Sequence, residues 1–244
     1  MSSNISPDIS IFIISWMGQH ENAAVIANQL NDIKDQVSII YSDPDPEYSL
    51  KVSCKSIKRS NELFFGDKFK ACLDNCAGEN LLLIHADCKC NNWINLIKKY
   101  DKAIKQLGNL GVWSPLVDFT KLDLKAVSLL SINNSYYEVC CQIDGQVLGL
   151  SKAIQNRMKL ADYQFNIYGW GIGRMIACFA LSINQLLIVD KSIQVEYPKT
   201  KGYCEPDARD QRDLFLRQLT VSEKIFSELI HSHMMILRVP NEIK

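Results

Sequence analysis

A chain of 244 residues is long enough to bury one large core or two small ones, and 47% hydrophobic with 22% charged residues is a globular composition. Lysine plus arginine and aspartate plus glutamate each total 27, so no net field draws the chain to nucleic acid or acidic lipid, and a small-molecule or glycan ligand is expected. Nine cysteines at irregular spacings make no disulfide framework; with a polar amino terminus that lacks signal-peptide order, they predict a reducing, cytoplasmic setting.

Residues 11–16 are a continuous apolar run, too short to span a bilayer. They read as a strand covered on both faces, with Ser15 near its end. Over 21–33, Ala24, Ile26, Ala27, Leu30 and Ile33 recur near helical spacing. Residues 37–41 predict a second strand, stopped by the proline-broken turn at 42–46, and 51–56 a third. A helix is expected over 64–76, with Phe65, Phe69, Cys72, Leu73 and Cys76 on one face and Gly78 closing it. Residues 81–84 read as a strand running into His85-Ala86-Asp87, 93–107 as a helix, and 112–117 and 126–131 as strands. A strand at 147–150, helices at 152–160 and 171–181, and a strand at 186–189 follow.

From Asp207 the chain reads as helical, divided near 220 by the capping box Thr220-Val-Ser-Glu223. The helix of about 220–237 carries Val221, Ile225, Phe226, Leu229 and Ile230 on one stripe. Such a stripe is core or homodimer surface, and more rarely a peripheral membrane anchor. Short apolar strands alternating with helices predict an α/β fold: a mostly parallel central sheet, helices on both faces and a helical C-terminal tail. No internal repeat or low-complexity linker divides the chain, so one domain over 1–244 is expected, with its core at about 9–218.

In open parallel sheets, ligands bind beyond the carboxyl ends of the strands. Asp43 and Asp45 follow the second strand, and His85 and Asp87 the fourth. A carboxylate there accepts hydrogen bonds from a base or ribose, or holds a divalent metal across two phosphates; turn chemistry beside proline is the alternative for Asp43 and Asp45. Lys55, Lys58 and Arg59 either meet a diphosphate or form a solvated charge run. Cys88 and Cys90 with Cys140 and Cys141 lack the spacing of a zinc site, and His231 and His233 point apart on a helix. No Walker loop is present, and no GxGxxG follows the first strand.

Four apolar residues, a polar-x-Asp triplet, and a polar loop before Trp93 resemble the metal-binding triplet of GT-A glycosyltransferases, family 2 in particular. The run from Gln142 through Asp144 to Ser151 is similar to the segment whose Asp lines their sugar and acceptor pocket. Tyr168-Gly169-Trp170-Gly171-Ile172 resembles the Gly-Trp-Gly acceptor loop of family 2 and galactosyltransferase-like proteins. Val189-Asp190, Tyr197-Pro198 and 200–203 resemble their closing stretch, so the likeness covers about 9–218.

The resemblance implies a glycosyltransferase acting from a nucleotide-sugar donor on a glycan or lipid-linked glycan. It implies donor contacts from Ser15, Asp43, Arg59, His85, Asp87, Trp170 and Gly171, and a divalent cation, Mn²⁺ or Mg²⁺, on Asp87, His85 and Tyr197. Asp144, or secondarily Asp162, is the implied base. Three positions depart from the pattern: His85 replaces the first Asp of the triplet, Gly173-Arg174 stands where an acid is usual, and Tyr197 replaces the His of the closing His-Pro. A silent nucleotide-sugar-binding protein of the same fold is the first alternative. A nucleotidyltransferase is the second, although Trp16 to Glu21 is a poor substitute for its Gly-rich basic loop.

Overall fold

The computed structural model describes residues 5–118, 122–198 and 205–236. Among these, nine strands form one sheet: β1 (Ile9–Trp16), β2 (Val37–Ser42), β3 (Lys55–Arg59), β4 (Asn80–His85), β5 (Leu110–Val117), β6 (Ser128–Ser131), β7 (Tyr137–Cys140), β8 (Val147–Ser151) and β9 (Leu186–Val195). Their order across the sheet is β3-β2-β1-β4-β8-β5-β9-β7-β6. Only β7 and β8 run against the rest. The parallel half, β3-β2-β1-β4, sets four strand ends side by side at one edge.

The helices are α1 (His20–Gln29), α2 (Phe65–Asn75), α3 (Trp93–Gln106), the short α4 (Leu124–Val127), α5 (Lys152–Lys159), α6 (Ile172–Ser182), α7 (Glu205–Leu216) and α8 (Val221–Ile236). Strand residues alternate between two cores, as a pleated ribbon covered on both faces must. Ile9, Ile11 and Ile13 of β1 with Leu82 and Ile84 of β4 meet Ala23 and Ile26 of α1 and Leu96 and Ile97 of α3. Phe12, Ile14, Leu81 and Leu83 face the other way, toward Phe69 and Cys72 of α2, Ile154 and Met158 of α5, and Met175 of α6.

Several expected boundaries move. The third strand begins at Lys55 rather than 51; it is an edge strand paired only with β2, and no buried apolar run fixes its phase. The strand expected at 126–131 is cut to Ser128–Ser131, because Asp123 accepts the Lys125 N–H and caps a helical turn ahead of it. Strand β7 went unpredicted, and β9 runs past 189 to Val195 through an irregularity opposite Pro115 and Leu116.

The capping box forms: Thr220 N–H donates to Glu223 Oε2 at 2.6 Å, and Glu223 N–H to Thr220 Oγ1 at 3.3 Å. Buried Glu223 also takes a two-pronged pair from Arg157 of α5, at 2.6 and 2.8 Å, which fastens α8 to the body. The stripe expected on this helix divides. Ile230 is buried and Phe226 packs on the core, whereas Val221, Ile225 and Leu229, one helical face away, are exposed. No helix among the described residues is long and apolar enough to cross a membrane.

Candidate functional site

The carboxyl ends of β1 and β2 meet in one polar corner. Gly18 turns the chain at φ +86, a left-handed conformation that glycine adopts without steric cost, and α1 then opens with His20. The His20 ring sits between Ser15 Oγ, 2.9 Å from Nδ1, and Asp43 Oδ2, 2.9 Å from Nε2. The consistent assignment has Ser15 donating to Nδ1 and Nε2–H donating to Asp43. Asp43 Oδ1 accepts the Asp45 N–H at 2.9 Å. That backbone bond, and then the His20 contact, hold the Asp43 carboxyl below its ordinary value against the opposing pull of burial.

Tyr48 stacks on His20 with ring centroids 4.9 Å apart. Lys58 ties the intervening loop by donating to the carbonyls of Asp45, Pro46 and Tyr48 at 2.7–2.9 Å. Arg59, at the end of β3, is held by both oxygens of Asp67, at 2.8 and 2.5 Å. His20, Asp43, Lys58, Arg59 and Asp67 each have a partner.

A second corner forms where β4 ends, and it is built differently. The backbone is secure: His85 N–H donates to Gln146 O, and Ala86 N–H to Ile14 O, each at 2.9 Å. The His85 ring lies among Phe65, Trp16 and Tyr197, with centroids 4.9, 6.0 and 6.5 Å away. Both of its ring nitrogens are buried with no hydrogen-bond partner among the described residues, as is Asp87 Oδ1. Burial lowers the His85 pKa to about 4, with Asp144 pulling weakly the other way. Burial likewise raises the Asp87 carboxyl to about 6. At neutral pH the pair is therefore a neutral imidazole beside a desolvated carboxylate.

Beside this corner lies a cavity of about 290 Å³ between the end of β5, α4 and the segment 142–144. Val127, Ile143 and Val189 give it apolar walls, and Asp118, Asp123, Gln142 and Asp144 line it with oxygen. Asp144 thus faces both cavity and His85, and its Oδ1 accepts the Gly145 N–H at 3.1 Å.

The Gly-Trp-Gly segment is a fixed loop. Gly169 and Gly171 have φ +76 and +89. Buried Asn166 accepts the Gly169 N–H at 3.0 Å and donates to Trp170 O at 2.9 Å. The loop docks on the start of α2: Gly66 N–H donates to Ile167 O at 3.0 Å. A Cβ on Gly66 would stand 1.8 Å from Asn166 O, and one on Gly169 would stand 2.3 Å from Phe65 Cδ1. Phe65 is thereby wedged between this loop and His85. Trp170 is half-buried, and Gly171 packs under Arg212 and Leu216 of α7.

The implied donor and metal residues gather only in part. His85 and Asp144 come within electrostatic reach of each other, Asp87 lies two residues on, and Tyr197 is a ring contact of His85. Ser15 and Asp43 meet through His20. Asp162 is exposed, starts a turn by accepting the Gln164 N–H, and is tied by its backbone to Gln218. Among the described residues no group of three or more His, Cys, Asp or Glu is placed to hold a metal ion; the set Asp87, His85 and Tyr197 has only two members of those types, and Tyr197 meets His85 through its ring. Tyr197 supplies an aromatic wall, because the extension of β9 delivers it there as a ring. Asp87 and His85 still offer two unsatisfied donor atoms, a set that fits a cation completing its shell with diphosphate oxygens and water.

Gly173 lies in the first turn of α6, where an added Cβ would be 3.4 Å from Ile143 O. Arg174 turns away from that rim toward Met234 Sδ, 3.9 Å from Nη2. The segment 200–203 falls outside the described residues. Sequence reasoning missed His20, Tyr48 and Phe65. A histidine opening the helix after the first strand was the available signal for His20; nothing in the local pattern marked the other two.

No family model matches the chain, and no curated protein does. Solved structures are similar in shape. A mannosyltransferase from Pyrobaculum calidifontis in complex with GDP-Man and Mn²⁺ matches with a TM-score of 0.58 at 12% identity, over 98% of this chain and 72% of that one. GalNAc-T7 with UDP, GalNAc and Mn²⁺ matches at 0.58 and 10%, over 91% of this chain and 49% of that one, so the chain spans about half of it. S. aureus TarS, residues 1–349, matches at 0.57 and 12%, over 93% and 70%. At these identities the likeness concerns the path of the backbone, and what it establishes is that this chain has the GT-A fold of nucleotide-diphospho-sugar transferases.

Proposed function

We propose that the chain transfers a sugar from a nucleotide-sugar donor to a glycan or lipid-linked glycan. One observation carries the reading: at the end of β4, the edge where such folds take ligands, buried atoms of His85 and Asp87 have no hydrogen-bond partner among the described residues, and Asp144 stands beside them. Buried polar atoms cost free energy unless bonded, and a donor diphosphate with its cation answers that need. Bound GDP-Man in the first similar structure, and UDP in the second, support the donor class.

In this reading the Ser15-His20-Asp43 corner, pinned by Lys58, shapes the place of the nucleoside, and Arg59, oriented by Asp67, faces the diphosphate. Mn²⁺ or Mg²⁺ bound by Asp87 and His85 supplies Lewis-acid neutralisation of the leaving diphosphate. His85, neutral at physiological pH, would give the cation the lone pair of one ring nitrogen and donate a hydrogen bond from the other. Asp144 takes the proton of the attacking acceptor hydroxyl, the base that Gly173 does not provide. Trp170 lies on a docked loop and presents a preset surface to the sugar. Every described cysteine is free, which supports a reducing compartment.

Gly173 in the place of an acid favours a second reading, a protein that binds nucleotide sugar without turning it over. Thermal shifts with UDP- and GDP-sugars, with and without Mn²⁺, test binding, because a ligand of the native state raises its stability. A shift lost in Asp87→Asn is expected, and no shift with any donor overturns the function. Turnover that falls about 10²–10⁴-fold in Asp144→Asn assigns the base; donor binding with no wild-type turnover selects the second reading.

A further inference from the structure

We propose that the exposed face of α8 is where two copies of this chain meet, the helix pairing antiparallel with itself across a two-fold axis at the level of Phe226. Five large hydrophobic side chains stand exposed on α8 (Val221, Ile225, Leu229, Met235 and Ile236), whereas no other helix among the described residues carries more than one. Single exposed hydrophobics are ordinary on a surface, but a contiguous set marks an interaction site. Steps of four, four, three and four residues lead from Val221 through Ile225, Leu229 and Ser232 to Ile236, so these side chains form one stripe along the helix. The opposite side holds Glu223, Ile230 and Met234 against the body.

The charges beside the stripe identify the occupant. Lys224 and Glu228, four residues apart on one flank, are both exposed, and neither forms an ion pair among the described residues. Glu228 acts on half-buried Arg174 through its field alone, without an ion pair. A two-fold axis that reverses a helix turns each flank toward the same flank of the second copy. With that axis at the level of Phe226, Lys224 of each copy stands level with Glu228 of the other, and two ion pairs close. Ile225 then falls between the second copy's Ile225 and Leu229, and Val221 beside its Ser232, the interlocking that packed helices adopt.

The surface is also preset. The capping box at Thr220 and the Arg157–Glu223 pair hold α8 in place before any partner arrives, so association has little left to order. A chain of zero net charge sets up no overall repulsion between its copies. A lipid surface suits this face less. Interfacial helices are rich in lysine and arginine along their polar side, whereas α8 has Lys224 alone of these and sets exposed Glu228 beside the stripe. A contact limited to one helix pair buries less than the roughly 800 Å² per partner of a standard interface, so the dimer is expected at micromolar concentration.

Sedimentation velocity of the full chain from about 1 to 200 μM should show monomer passing to dimer. Ile225→Glu should weaken the dimer at least about tenfold with the melting temperature unchanged, since the side chain it replaces is exposed. Lys224→Glu and Glu228→Lys each set like charges opposite one another, so each should weaken the dimer about threefold or more. The two together should restore it to within about threefold of wild type, because the pairs re-form with their signs exchanged. A wild-type chain that stays monomeric across the range overturns the proposal, as does a charge-exchanged double variant no tighter than the single ones. A dimer indifferent to Ile225→Glu places the contact elsewhere and overturns it too. Flotation of a monomeric chain with phosphatidylglycerol vesicles, lost in Ile225→Glu, gives the face to a membrane instead.

Discussion

The two corners at the carboxyl edge of the sheet are made of similar residues and solved in opposite ways. At β1 and β2, Ser15, His20 and Asp43 satisfy one another, and Tyr48 and Lys58 close the group from outside. At β4, His85 and Asp87 bury the same chemical groups among aromatic rings with atoms left unsatisfied. Both lie on one rigid sheet, so the difference is not one of order. A satisfied buried network lowers the energy of the fold and specifies it, whereas unsatisfied groups raise that energy and persist where function requires them. In the proposed function, the first corner serves as scaffold and the second as the working surface.

The comparison can be broken first at His20. His20→Ala leaves the Ser15 hydroxyl buried without its partner and removes the Tyr48 stack, so we expect a loss of about 3 kcal/mol in urea unfolding. A cost under about 1 kcal/mol would remove the scaffold role. Asp87→Asn should do the reverse. Its carboxyl titrates near 6 in the fold against an ordinary 3.8. The unfolded chain therefore ionises it first, and the charged form penalises the fold increasingly as pH rises from 3.8 to 6. Removing the charge should raise stability by roughly 1–2 kcal/mol at pH 7, discounted for its partial exposure, and by nothing at pH 3.5. Stability that drops at pH 7 instead would make Asp87 a structural residue.

A smaller effect is expected at His85. His85→Phe fills the same aromatic surround without buried nitrogens, so stability should stay within about 1 kcal/mol while the nucleotide-sugar thermal shift falls away. A retained shift would take His85 out of the site. Gly173→Asp should change least. It has room beside Ile143, and an acid in the first turn of a helix in place of glycine is worth a gain of about 0.5–1 kcal/mol. A melting temperature that falls by several degrees would show that Ile143 cannot yield.

Much of this contrast was legible in the chain. The strands of the parallel half announce themselves as isoleucine and leucine runs, and their ends point at Asp43, His85 and Asp87 without any structure. The capping box and most helices are equally local. What lay outside reach was non-local. His20 reads as an ordinary first-turn residue until β2 brings Asp43 to it. Phe65 reads as one apolar position of a helix until the loop at 166–171 presses it onto His85. Tyr197 enters as a candidate ligand only through the resemblance of Tyr197-Pro198 to a closing His-Pro; that its ring meets His85 depends on the course of β9 beyond 189, which the sequence pattern did not mark. The edge strand β3 has no buried apolar run to fix its phase, and β7, a four-residue strand that buries Glu138 among its apolar neighbours, is too short to give a periodicity to follow.

The absence of a side chain at Gly66 also orders events in time. That glycine lets the Asn166 carbonyl come against α2, so the Phe65 wall of the His85 pocket depends on a contact between segments far apart in the chain. Closing such a loop costs entropy that must be met before the contact returns anything. The parallel half of the sheet can assemble from its own first ninety or so residues, since β1 to β4 pair among themselves. The pocket cannot. It forms only once the loop at 166–171 has been made and has folded back, which places completion of the site among the last steps by which this protein reaches its native state.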